Sequence, residues 1–177
     1  MKIKPLIPIL LMIACGPFFS CDALKKLDDV TFDVTLAVPF VVNETAVNAN
    51  GKTYTDSKLL DASSNADVAK YSSKINQFKV NKITYTISAA NPNTVLFTNG
   101  ILKTASSGKT IATASSIILS STTETELTAD AAGFTELASK LLANKQETIQ
   151  LQGTLSKTPV AFNVNFKFYL TVTASAL

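Results

Sequence analysis

Strict alternation of apolar and polar residues in two long stretches limits this chain to a small set of folds. In the first stretch Phe32, Val34, Leu36, Val38, Phe40 and Val42 fall at every second position, with Thr31, Asp33, Thr35 and Ala37 between them. In the second, Val160, Phe162, Val164, Phe166, Phe168, Leu170 and Val172 alternate with Asn163, Asn165, Lys167, Tyr169, Thr171 and Thr173. Neighbouring side chains of a strand point to opposite faces, so a period of two yields one apolar face and one wetted face. A strand of that kind is stable only when its apolar face packs on a second layer. Pro39 has no N–H to give a ladder, so the first strand is expected at a sheet edge or a bulge. The two aromatic-rich strands are expected to pair or to lie close together in the core.

The chain between them reads as further short strands and two helices. Asn48-Ala49-Asn50-Gly51 is a turn signal. From Asp61 to Phe78 the period changes: Val68, Tyr71, Ile75 and Phe78 recur at spacings of three and four, which predicts a short helix with Ser63, Ser64 or Asn65 as N-cap. Ile83, Tyr85, Ile87 and Ala89 restore the period of two, and Asn91-Pro92-Asn93 ends that strand. Strands are predicted over 95–104 and 110–119, and 124–128 reads as a short strand or the start of a helix. Phe134, Leu137, Ala138, Leu141 and Leu142 mark an amphipathic helix closing near Asn144. A hairpin follows, through Ile149, Leu151 and Leu155, then a Lys157-Thr158-Pro159 turn into the last strand. About seven strands with one solvated face each predict a mainly β fold over residues 30–177. Its expected form is a two-sheet antiparallel β-sandwich with one or two short helices.

The amino-terminal segment has a different character. Lys2 and Lys4 precede ten apolar residues from Pro5 to Ala14, and Gly16-Pro17 interrupts the run. That run is half the ~20 residues of a membrane-crossing helix and matches the apolar part of a secretion signal. Phe18-Phe19-Ser20-Cys21 then resembles the lipobox of bacterial lipoproteins, a small residue before a cysteine. The resemblance implies a signal peptide over residues 1–20, cleavage before Cys21, and lipidation of its thiol. It also implies a charged tether over 21–29 and an outer-membrane location on the periplasmic or cell-surface face. Met12-Ile13-Ala14-Cys15 is a second, less favoured lipidation sequence. Two acyl chains hold a protein at a bilayer where one does so only marginally. The acidic and basic residues Asp22, Lys25, Lys26, Asp28 and Asp29 are read either as a solvated linker or as a sorting signal of that family. From Asn91-Pro92 onward the order strand, strand, helix, hairpin also resembles the WHy β-sandwich of late-embryogenesis-abundant proteins. Residues 83–93, 103–112 and 134–173 carry that likeness.

Composition removes several classes of function. The chain of 177 residues is about one domain long. It contains no histidine, the usual proton shuttle near neutral pH and the commonest metal ligand, and no cysteine after Cys21. Every basic residue is a lysine; without Lys2 and Lys4, fourteen lysines face thirteen acids. That balance has neither the clustered basic face of a nucleic-acid binder nor an arginine to grip phosphate or guanine. No cofactor and no metal is expected.

Four groups of residues invite a site. Asp61, Ser63, Asn65 and Asp67 alternate like a calcium loop, but Ala66 and Ser72 stand where its glycine and its bidentate glutamate belong, so a polar helix start is the better reading. Glu124 and Glu126 would share a strand face, as an acid–base pair does, yet their Ser/Thr surroundings read as solvated surface. Ser106-Ser107-Gly108-Lys109-Thr110 contains Gly-Lys-Thr but has Thr104 in place of the upstream glycine of a phosphate loop, which leaves a hairpin turn. Tyr54, Tyr71, Tyr85 and Tyr169 invite comparison with the aromatic lining of a glycan or peptide surface, Tyr169 foremost because it lies on the polar face of the last strand, but ordinary isolated aromatics are the better reading. The expectation is a non-enzymatic, lipid-anchored envelope protein that binds or scaffolds a protein or glycan. The alternative is a carrier of an apolar ligand between the sheets. An enzyme pairing Ser or Thr with a lysine base is the least supported reading.

Overall fold

In the computed structural model, which describes residues 29–176, both alternating stretches are long strands that pair with each other. β1 (Asp29–Asn48) and β9 (Thr158–Ser175) run antiparallel, with Asp29 opposite Ser175, Val38 opposite Phe166 and Glu44 opposite Val160. Their apolar residues face inward: Phe40, Phe166 and Phe168 are fully buried, and the Phe40 and Phe166 rings meet edge-on at 5.7 Å. The leader, Cys15, Cys21 and the tether as far as Asp28 lie outside the described residues.

Between these strands the chain forms β2 (Lys52–Asp61), a 3₁₀ turn (Ala62–Ser64), α1 (Ala66–Lys70), β3 (Ile75–Asn91), β4 (Leu96–Thr104) and β5 (Thr110–Ile118). Two short bridges, β6 (Thr125–Glu126) and β7 (Thr128–Ala129), lead into α2 (Ala131–Asn144) and then β8 (Gln146–Leu155). Seven long strands and the two bridges make antiparallel sheets of four and five strands, in the orders β1-β9-β3-β6 and β2-β8-β4-β5-β7. The fold is the expected two-sheet antiparallel sandwich, but the hairpin expected of its last two strands does not form: β8 pairs with β2 and β4, β9 pairs with β1 and β3, and the chain crosses from one sheet to the other between them. β1 lies at an edge, where Pro39 leaves no ladder donor missing from a sheet interior.

The helix predicted between Asp61 and Phe78 is much shorter than its spacing suggested. α1 has five residues; Asn65 caps it by accepting from the Asp67 and Val68 amides, and Asp61 accepts from Ser63 in the preceding turn. Ile75 and Phe78 belong to β3, and both are buried. The ladder with β9 shifts between Ile75 and Gln77 and again between Val80 and Lys82. Each bulge inserts one residue and reverses the parity of the strand, so residues three apart face the same way. Ile75 and Phe78, and then Val80 and Ile83, therefore all enter the core with the spacing of a helix.

α2 closes one side of the sandwich, packing on β3, β5 and β8. Asp130 caps it by accepting from the Gly133 amide at 2.7 Å, and Lys145 ends it in the left-handed region at φ 60°. Leu137 and Leu141 are fully buried beneath it. A β-carbon added at Gly133 would stand 1.9 Å from the Thr110 carbonyl oxygen and 2.7 Å from the Ile111 Cα, so helix and strand meet backbone to backbone there. Between the sheets, the void bounded by Leu102, Ala112, Leu127, Leu151 and Phe166 admits no water-sized sphere. No helix among the described residues is long and apolar enough to cross a membrane.

Candidate functional site: the polar face of the four-stranded sheet

The outward residues of β9, β3 and β1 form a connected polar surface around Tyr169. The bulge at Asn81 and Lys82 sets both residues against Tyr169, and the Lys82 ammonium stands 4.6 Å from the centre of the tyrosine ring. A cation over an aromatic face is attracted by the ring quadrupole and fixes the orientation of both groups. The Tyr169 hydroxyl donates to Glu124 Oε1 at 2.5 Å, Thr84 Oγ1 donates to the same oxygen at 2.7 Å, and Lys167 Nζ donates to Oε2 at 2.7 Å. The segment before β6 thus holds a carboxylate over the sheet with three donors pointing at it. A second chain of bonds lies beside it: Asn81 donates to Thr171, and Thr171 donates to Asp33 at 2.7 Å. A hollow of about 320 Å³ sits between the two chains, lined by Asp33, Thr35, Asn81, Lys82, Glu126 and Tyr169 among others.

The electrostatics follow from that geometry. The Lys167 ammonium, the Tyr169 hydroxyl and the Thr84 hydroxyl all favour the charged form of Glu124 and hold its carboxyl down at about 2. The same contact raises the Lys167 ammonium above its ordinary value, first by the hydrogen bond and then by the charge of Glu124. A carboxylate this acidic has no proton to give near neutrality and little tendency to take one. Glu124 is thus an electrostatic clamp over the sheet. Glu124 stands on the exposed surface, as its surroundings suggested, with 34% of its side chain accessible, and three donors of the sheet engage it there.

The other residues singled out in the sequence do not join this surface. Tyr54 and Tyr85 are buried on inner faces, Tyr54 edge-on to Phe97 at 6.3 Å and Tyr85 against Phe166 at 6.4 Å. Burial, with Asp56 beside it, pushes the Tyr54 hydroxyl up to about 12. Tyr71 packs against Phe32 near α1. Of the four tyrosines, Tyr169 alone belongs to the polar face. Ser106 to Lys109 form a hairpin turn with Gly108 at φ 72°, tied down by Ser106 donating to Glu147 and by Ser107 donating to Glu136. No group of three or more metal-ligating side chains occurs among the described residues.

Sequence reasoning missed Lys82, Lys167, Thr84 and Asn81. Only the register of β3 against β9 reveals them, together with the return of the chain over the sheet at Glu124. The bulge was legible in principle, as the three-residue step between Val80 and Ile83.

No family model and no curated protein matches the sequence. Among solved structures, the chain overlaps the one described as "Crystal structure of decameric BFDV Capsid Protein" with 9% identity and a TM-score of 0.48, over 81% of this chain and 98% of that one. It overlaps "Desmodium yellow mottle tymovirus" with 13% identity and a TM-score of 0.37, over 82% and 90%. Neither overlap is close enough to carry an argument about this chain.

Proposed function

We propose that this chain is a lipid-anchored envelope protein, held at the outer membrane through Cys21, that binds or scaffolds a polar partner with the Tyr169 face of its sandwich. The partner is a protein or a glycan of the envelope. The observation that carries the reading is the arrangement around Tyr169: an aromatic ring, two lysines, a clamped carboxylate and several amide and hydroxyl groups, ordered before any ligand arrives. Preorganised groups lose little freedom on binding, which is where affinity is otherwise lost. The filled space between the sheets favours this surface over an apolar cargo sheltered in the interior.

The anchor is tested by metabolic labelling with an alkyne fatty acid. Cys21→Ser abolishes the label and releases the protein in soluble form; label retained in Cys21→Ser, or lost only in Cys15→Ser, refutes the assignment to Cys21. The face is tested with Tyr169→Ala, which is expected to lower binding of the purified protein to isolated envelope fragments while its melting temperature holds. Equal binding by the variant rules this face out.

A further inference from the structure

β3 has a free side. β6 pairs with it only at Thr84 and Tyr85, and the last bond beyond is from the Leu127 amide to the Ile83 carbonyl. From Asn76 to Lys82 no strand among the described residues pairs with the side turned away from β9. Between its two bulges the regular part of that run is Gln77 to Val80, about 13 Å at ~3.3 Å per residue. The opposite edge of the same sheet, β1, carries Pro39, a common guard against unwanted pairing. β3 has no proline in this stretch; it carries Lys79 and Lys82, and a bulge at each end of the run.

α2 runs along the free edge without sealing it. Between them lies a groove of about 480 Å³, with Phe78, Lys79 and Val80 on the strand side and Phe134, Ala138 and Leu142 on the helix side. Consecutive residues of β3, Gln77 to Val80, line the opening on the strand side. The groove is apolar at its base and basic at its rim. No carboxylate lines it, and neither Lys79 nor Lys145, which sits over the Phe78 ring at 5.7 Å, is ion-paired among the described residues.

We propose that this groove binds an extended peptide of a partner protein, added as a strand to the edge of β3, with apolar residues alternating with acidic ones. Strand addition satisfies the free N–H and C=O groups of the edge, and alternate side chains give specificity. The apolar set packs on Phe134, Ala138 and Leu142, and the acidic set, on the other face of the added strand, meets Lys79. This site is separate from the Tyr169 face and independent of the anchor.

The test uses the full chain in detergent micelles and a fluorescein-labelled, end-capped nonapeptide alternating valine and glutamate, followed by fluorescence anisotropy. Saturable binding is expected, weakened about tenfold or more by Lys79→Glu, since a tenfold loss needs only about 1.4 kcal/mol, and abolished by Ala138→Trp, which fills the groove. N-methylation of every second peptide amide in one register abolishes binding, and in the other register leaves it intact, because only one set of amides faces the edge. Bound peptide also slows amide exchange from Asn76 to Lys82. No binding to the wild-type chain, or binding indifferent to Lys79→Glu and to both N-methylation patterns, overturns the proposal. Lys79 is exposed on β3, so that variant and the N-methylated pair decide the matter even if Ala138→Trp fails to fold.

Discussion

Replacing Gly133 by alanine should destabilise the protein, although the same change on an exposed helix surface stabilises one. Alanine is better than glycine in a helix by about 1 kcal/mol. Here the new methyl would lie 1.9 Å from the Thr110 carbonyl oxygen, and ordinary contact begins near 3.4 Å. Helix and strand would have to part by about 1.5 Å, because the obstructing atoms are backbone and no rotamer relieves them. Parting them loosens Leu137 and Leu141, both fully buried under α2. Overpacking and loosened contacts together cost roughly 3–4 kcal/mol, leaving a net loss of about 2–3 kcal/mol after the helix gain. At this size that lowers the melting temperature by roughly 5–10 °C. Urea unfolding of wild type, Gly133→Ala and the exposed first-turn control Ala132→Gly measures it: the control loses at most about 1 kcal/mol through propensity alone, and m stays constant in all three. A Gly133→Ala protein as stable as wild type, or more so, would show that the close approach of α2 to β5 has been misjudged.

Two further outcomes test the clamp and the core. The carboxyl of Glu124 is depressed in the folded state, so its contribution is complete above the unfolded value near 4.5 and is lost as pH falls toward about 2. Melting temperature measured from pH 6 to pH 2 should therefore fall less steeply in Glu124→Gln than in wild type, and superimposable acid limbs would contradict the clamp. In the five-stranded sheet the Phe97 ring lies over Gly153, where a β-carbon would come within 2.3 Å of it. Phe97→Ala should cost about 3–5 kcal/mol by denaturant unfolding, the usual loss for a buried aromatic; a loss below 1 kcal/mol would mean the site collapses or the ring is not packed as described.

The long strands and α2 were legible because their patterns are the direct image of their burial. β1 and β9 each keep a period of two for most of their length, and nothing but a strand with one buried face produces that. α2 shows Phe134, Leu137, Ala138 and Leu141 on one stripe, and the helix runs as that stripe implies. β3 was half legible. Its first bulge, between Ile75 and Gln77, converts a period of two into a step of three, so Val68, Tyr71, Ile75 and Phe78 mimic a helix across what is really a helix, a turn and a strand. The polar face was less legible still. Glu124 meets Thr84, Lys167 and Tyr169 across about 40 residues of chain in each case, and no local pattern encodes such a meeting. Tyr169 could be singled out because its strand has a readable polar side; its partners could not.

The pairing of Asp29 with Ser175 brings both ends of the folded body to the same edge of the same ladder. Traction applied between those two points loads the interstrand bonds of β1 and β9 one after another, from the open end inward, because antiparallel bonds lie across the strands. A zipper yields to a weaker pull than a joint whose bonds must all shear together. Tension delivered through both ends would peel β1 away first and bare the inner faces of Phe40 and Phe166, whereas a load entering through the amino-terminal end and leaving through the opposite tip of the sandwich would meet the full row at once.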